Sequence, residues 1–270
     1  MLRVVSEAFG DWQLESLIAV GGLGEVWRAT RGDTVAAVKR LHTHLVRLDE
    51  ARALFEQEQQ LALALPRHPN VVHAIDVGLV EGRPYVALEL AAGEDLRRIV
   101  APAPTPVNTK PAPAVLPRVR VVAIVIAACE AAAHLHGLGW VHGDICPSNL
   151  VVDDADRVVL VDLGVARKTG EAGTVRGTHA YMAPEQVRGE AWSPATDVFA
   201  LGIVLWELLA DKRLFHRGPT WLSMAAVVEA AVPPLADPAL DAIAQAALVK
   251  DPAHRITSAS ELAERLRSLK

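Results

Sequence analysis

The chain has 270 residues, 51% of them hydrophobic, and a formal net charge of -5, enough apolar material for one large core or two modest lobes. Its mildly acidic balance and lack of a dense Lys/Arg run argue against nonspecific nucleic-acid binding, and its two cysteines, Cys129 and Cys146, offer neither a disulfide framework nor metal-ligand spacing. Met1–Asp11 is charged and too short for a signal peptide, and the most apolar run, Val121–Cys129, falls well short of the ~20 residues that span a bilayer, so no membrane segment and a reducing, cytoplasmic setting are expected.

In chain order, Trp12–Ile18 alternates apolar and polar residues as a strand does. Ile18-Ala19-Val20-Gly21-Gly22-Leu23-Gly24-Glu25-Val26-Trp27 then places a glycine-rich turn before a returning strand, where backbone amides can approach a phosphate unobstructed. Alone, such a turn is more often a plain hairpin. Thr34-Val35-Ala36-Ala37-Val38-Lys39 is a third strand ending in a lysine, and a lysine there is most often a solvated edge charge. From Asp49 to Leu65, the spacing of Leu54, Phe55, Glu58, Leu61, Ala62 and Leu65 predicts a helix. Glu58 falls on its apolar face, where a carboxylate without a counter-charge would be costly; Lys39 is the candidate partner, and Glu56 is the rival acid.

Pro84–Gly93 reads as a strand running into an extended linker. Asp95 suits the cap of the next short helix. Pro102, Pro104, Pro106, Pro111, Pro113 and Pro117 then make 101–117 a Pro-rich insert with extended preference, read as a surface loop. Arg118–Leu138 predicts a long buried helix closed by Gly137 and Gly139. Its His134 and His136 are two apart, the wrong spacing to share a helix face as metal ligands.

The densest chemistry follows. Val141-His142-Gly143-Asp144-Ile145-Cys146-Pro147-Ser148-Asn149-Leu150 is succeeded by a short hairpin, Val151-Val152 and Val158–Val161 around the turn Asp153-Asp154-Ala155-Asp156, and then by Asp162-Leu163-Gly164. Asp144, Asn149 and Asp162 make an oxygen set suited to Mg²⁺, which is held by one or two protein groups plus substrate phosphates. Each is an ordinary turn residue taken singly; the ordered set is not. Gly177-Thr178-His179-Ala180-Tyr181-Met182-Ala183-Pro184-Glu185, Asp197 at the head of an apolar helix, and Arg255 before the amphipathic Ser258–Leu269 complete the pattern.

These motifs, taken together, resemble the bacterial (Hanks-type) serine/threonine protein kinases, and the resemblance runs from Trp12 to about Leu269. It implies an α+β, bilobal protein-kinase-like fold in a single domain over 1–270. A small, mostly β N-lobe with one main helix would cover about 12–90, and a larger, mostly α C-lobe about 91–270. The implied cofactors are ATP and Mg²⁺, and the implied partner is a protein with a Ser/Thr acceptor, with a regulatory partner besides.

By the same resemblance, Ala19, Val20, Gly21, Gly24, Val26 and Ala37 line the nucleotide, and Lys39, braced by Glu58, holds its phosphates. Leu88 closes the adenine pocket, the backbones of Glu89 and Ala91 bond the base, Asp95 reaches the ribose, and Leu150 lies beneath. Asp144 receives the hydroxyl proton, Asn149 and Asp162 bind the metal, Thr178 contacts Asp144, and Arg255 pairs with Glu185. The chain departs from the family pattern where Ala19 replaces the first glycine, Gly143 the catalytic-loop arginine, Cys146 the catalytic-loop lysine and Leu163 the phenylalanine of Asp-Phe-Gly. The alternative is a pseudokinase acting as a nucleotide-binding or interaction scaffold on the same fold.

Overall fold

The computed structural model describes residues 7–100, 115–173 and 175–269. The chain forms two compact units, Met1–Ala91 and Ala92–Lys270.

The first unit is an antiparallel sheet with one long helix. Its strands are β1 (Glu7–Phe9), β2 (Trp12–Val20), β3 (Gly24–Arg31), β4 (Thr34–Leu41), β5 (Ala74–Val80) and β6 (Arg83–Glu89), in the order β1-β2-β3-β4-β6-β5. Tight turns set the register. Glu81 and Gly82, both at positive φ, join β5 to β6 in the two-residue turn whose twist matches paired strands. On one part of the sheet Phe9, Trp12, Leu14, Ala29, Val38 and Tyr85 are buried together. Helix α1 (Asp49–Ala64) packs on β5 and β6, burying Ala51, Phe55, Glu58, Leu61 and Ala62. That is the face the sequence spacing marks out, with Glu58 in the middle of it.

The second unit is mostly helical. It opens with β7 (Glu94–Asp95) and α2 (Leu96–Val100), and continues through α3 (Arg118–Gly137), β8 (Trp140–Val141), β9 (Leu150–Val152), β10 (Val158–Leu160) and β11 (Arg167–Lys168). The helices α4 (Pro184–Val187), α5 (Pro194–Ala210), α6 (Thr220–Glu229), α7 (Pro238–Ala247) and α8 (Ala259–Arg267) complete it. Helix α3 is the hub, packed against both α5 and α8. It is longer than the most apolar run because alanines extend it, and by length and composition alone it is apolar enough to cross a membrane, although 56% of that stretch is buried inside the unit. Its Cys129 is fully buried, and burial pushes the thiol pKa well above its ordinary value.

A sheet unit with one main helix and a second, helix-rich unit together give the α+β class read from the sequence. Positions 101–114 of the Pro-rich insert, and Thr174, lie outside the described residues.

Candidate active site

In the first unit the lysine of β4 and the helix acid meet. Lys39 Nζ lies 2.6 Å from Glu58 Oε1, and both side chains are buried. The pairing follows from register: Lys39 sits opposite Val86 in the β4/β6 ladder, and α1 crosses β6. Glu56 points elsewhere, exposed and 3.7 Å from Arg52 one turn back, so the rival acid is not the partner.

The glycine-rich turn joins β2 to β3, with Ala19 opposite Val26 and Val20 opposite Glu25, closed by a Gly21 amide that donates to the Gly24 carbonyl at 2.8 Å. Its glycines differ in what they answer to. A Cβ on Gly24 would lie 2.3 Å from the Arg40 carbonyl oxygen, so strand packing alone requires glycine there. Gly22 has open space and Gly21 only an ordinary contact, so nothing in the fold demands these two. Ala37 faces Leu88 across the β4/β6 ladder, and Leu88 is buried. The Glu89 amide donates to the His73 carbonyl at 2.9 Å while its side chain reaches Arg67. Ala91 ends this unit.

In the second unit, Asp95 caps α2: its Oδ1 accepts the Arg98 amide at 3.0 Å and its Oδ2 lies 3.1 Å from Arg98 Nε. Of the two readings of Asp95, the cap is the one the contacts show. Leu150 is fully buried at the start of β9.

The catalytic-loop residues are held by a dense set of short bonds. Asp144 Oδ1 accepts the Thr178 amide at 2.8 Å, and Asn149 Nδ2 donates to the Asp144 carbonyl at 2.9 Å and to its Oδ2 at 3.2 Å. A planar amide that gives its nitrogen to Asp144 turns its oxygen the other way. The sequence pairs Thr178 with Asp144, and the contact is made by the Thr178 main chain; its hydroxyl turns to Cys146 Sγ at 3.5 Å. Burial pushes the Asp144 carboxyl above the ordinary aspartate range, the Thr178 amide bond opposes this, and the nearby Asp162 charge adds to the rise.

Asp162 follows directly from the hairpin. The Val161 amide donates to the Asn149 carbonyl at 2.9 Å, which brings the β10 end against the catalytic loop. Asp162 itself adopts φ of 65°, and its Oδ1 accepts the Gly164 amide at 3.3 Å, a local turn that aspartate tolerates better than most residues. His142, fully buried, ties the two segments: its Nδ1 accepts the Asp144 amide and its Nε2 reaches the Val161 carbonyl, both at 3.2 Å. A neutral imidazole protonated on Nε2 satisfies both bonds.

Below the loop, Asp197 from α5 accepts the His142 amide and the Gly143 amide, each at 2.8 Å, and His136 Nε2 at 2.8 Å. Burial pushes its carboxyl up, yet the His136 hydrogen bond, the neighbouring His136 and His142 and the Gly143 amide together outweigh that and leave it below the ordinary value. His136 therefore has a role that the His134/His136 spacing does not announce. Neither does any motif announce Gln186, whose Nε2 donates to the Gly143 carbonyl at 2.8 Å. The long-range pair does form: Arg255 Nη1 and Nη2 meet the two Glu185 oxygens at 2.7 and 3.0 Å, fully buried.

Asn149 and Asp162 offer hard oxygen ligands, and the like charge of Asp144 and Asp162 is a repulsion that a cation would relieve. Mg²⁺ fits this set. Among the described residues there is no group of three or more His, Cys, Asp or Glu that could hold a metal ion.

The sequence matches the family described as protein kinase domain over residues 12–266. It is 31% identical over 282 residues to the serine/threonine-protein kinase pkn3 of Myxococcus xanthus, covering 96% of this chain and 50% of that protein. It is 34% identical over 270 residues to the serine/threonine-protein kinase PknB of Mycolicibacterium smegmatis, covering 93% of this chain and 41% of that protein. PknB of Mycobacterium tuberculosis is 32% identical over the same length. The chain thus spans half or less of the length of these curated relatives. With the family match running through the glycine-rich turn, Lys39, the catalytic loop, Asp162 and Arg255, the chain belongs to the protein kinase domain family.

Proposed function

We propose that this chain is an ATP- and Mg²⁺-dependent serine/threonine protein kinase that transfers the γ-phosphoryl group to Ser/Thr hydroxyls of protein. The observation that carries this reading is the carboxylate of Asp144, held at one oxygen by the Thr178 amide and at the other by Asn149, beside the charge of Asp162. A scaffold has no use for a half-buried acid kept next to another acid; proton acceptance at a reacting hydroxyl does.

In this reading Asp144 orients the substrate hydroxyl and takes its proton as the oxygen attacks the γ-phosphorus and ADP leaves. Lys39, steadied by Glu58, binds the α- and β-phosphates, and the turn at Gly21 and Gly22 covers them. By the family pattern we assign Ala19, Val20, Val26, Ala37 and Leu88 of the first unit, and Leu150 of the second, to contacts with the base, the Glu89 and Ala91 backbones to bonding it, and Asp95, beside its capping role, to the ribose. Asn149 and Asp162 would hold Mg²⁺, which neutralises charge on the phosphates when bound. The two cysteines are buried and unpaired, which supports a reducing, cytoplasmic setting; a protein substrate follows from the family, and we propose a regulatory partner besides.

One observation favours a second reading, a pseudokinase scaffold. Cys146, where the family places a lysine, is buried with its thiol pushed up to about 12 by burial and by the charge of Asp144, so it stays neutral, and a thiol offers no positive charge to a transferring phosphoryl in any case. Incubating the purified chain with γ-³²P-ATP and Mg²⁺, with Asp162→Ala as control, tests the choice. Label incorporated by the wild type and lost in the control is the expected result; no label, or label retained in Asp162→Ala, overturns the proposal.

A further inference from the structure

Gly143 stands where the family carries an arginine, and an indole occupies the space beside it. Gly143 has φ of +77°, and a Cβ placed on it would lie 2.3 Å from the Trp192 ring. Gly173, on the segment that follows the Asp162 turn, meets the same ring, with a Cβ at 2.2 Å. Two glycines from two separate loops thus clear a slot for one side chain, which is 1% exposed. The Trp192 backbone is clipped to the same segment in both directions. Its amide donates to the Glu171 carbonyl at 3.0 Å, the Gly170 amide donates to its carbonyl at 2.8 Å, and Ala172 bridges Ala191. Across the ring, the Gly143 backbone is fixed by Asp197 at its amide and by Gln186 at its carbonyl, immediately before Asp144.

We propose that Trp192 is a positioning residue that locks segment 170–173 onto the catalytic loop by apolar packing, so that Asp144 and its Thr178 contact are in place with no phosphate on the segment. The proposal rests on the kinase reading above for its catalytic consequence, though not for the lock itself. An arginine and the indole exclude each other, because any side chain at position 143 starts inside the ring. The contact made by the ring is apolar and carries no charge, so salt does not screen it.

The test is made on the whole chain after phosphatase treatment, by amide hydrogen exchange over 170–173 and at Thr178, alongside kcat and KM for ATP on a Ser/Thr peptide. Trp192→Ala should speed exchange of the Gly170 and Trp192 amides by ~tenfold or more, since their reciprocal bonds lose the ring that covers them. It should also lower kcat by ~tenfold or more with KM for ATP changed less than ~twofold, a split that general destabilisation does not produce. Trp192→Phe, which keeps an aromatic ring in the slot, should recover most of both. Gly173→Ala keeps the indole and puts a methyl into it, so it should loosen the same amides and serves if Trp192→Ala does not fold. Native exchange over 170–173 in a folded Trp192→Ala or Gly173→Ala overturns the lock. A wild type that loses more than ~tenfold of its kcat on phosphatase treatment overturns its independence of phosphate. If the wild type transfers no phosphoryl group at all, the kinase reading falls and the exchange result alone decides whether the lock exists.

Discussion

In the proposed kinase reading, Cys146 is the substitution that sets the rate of the site. The thiol accepts the Thr178 hydroxyl at 3.5 Å and stays neutral, with burial and then the Asp144 charge raising it to about 12. Loss of one positive donor at a transferring phosphoryl costs on the order of 10²–10³ in rate, which leaves slow turnover from a typical kinase value of roughly 1–100 s⁻¹. Cys146→Lys is expected to raise kcat by ~tenfold or more with ATP affinity unchanged, at a packing cost of about 1–3 kcal/mol for the longer chain in a closed site. A stopped-flow or radiometric kcat that does not rise, with intact ATP binding, would show that another residue already fills the role. Asp144 makes a second prediction. Its carboxyl titrates above the ordinary aspartate value because of burial and Asp162, and only the deprotonated form accepts the hydroxyl proton, so kcat should fall toward acid with its limb above that ordinary value. For stability the sign is opposite: the folded chain keeps this proton where the unfolded chain has lost it, so the contribution is present below the ordinary value and lost as pH rises through the raised one. Asp144→Asn should therefore abolish transfer while raising Tm at neutral pH, readable by calorimetry.

Helix α5 shows how an element, rather than a residue, holds the loop. Its first turn carries Asp197 under three donors from two other segments, His136 on α3 and the amides of His142 and Gly143. Asparagine has one acceptor oxygen where the carboxylate has two, and its NH₂ would face donors. Asp197→Asn should cost about 3 kcal/mol, the scale of buried bonds to a charged acceptor left unmade. Its carboxyl is lowered relative to its ordinary value, despite burial, so its stabilisation is present above that value and is lost as pH falls through the lowered one. Urea unfolding of wild type and variant at neutral and acid pH should show the gap closing toward acid; a constant gap would assign the loss to packing. The start of this helix was legible in the sequence through Asp197 and the apolar run after it. The acceptor role of Asp197 toward His136 was not, because no local spacing links α3 to α5. The same holds for β1: Glu7–Phe9 is too short to show a period, and it exists through its pairing with β2.

Across the whole molecule, what the sequence makes legible is chemistry tied to short motifs, and what it hides is contact made at long range. Asp144, Asn149 and Asp162 were readable because a loop, a hairpin and a turn carry them in one recognisable motif, whereas Trp192 was not, since no motif links it to Gly143 and Gly173. The Glu185–Arg255 pair, seventy positions apart, was reached only through the family pattern. The site residues also divide between units, Lys39 and Glu58 in the first, Asp144, Asn149 and Asp162 in the second, each held by the core of its own unit. Activity and stability should then separate. Lys39→Met deprives buried Glu58 of its 2.6 Å counter-charge and should cost about 3–5 kcal/mol as well as abolishing transfer. Adding Glu58→Gln removes the buried charge and should restore part of that stability, with transfer still absent. Asp162→Ala should abolish transfer by a different route, losing a metal ligand and relaxing the repulsion on Asp144, with little or no loss of stability. Calorimetry and radiometric transfer on the same four proteins check this: recovery of transfer in the Lys39→Met/Glu58→Gln double variant would remove Lys39 from the phosphate-binding role assigned to it.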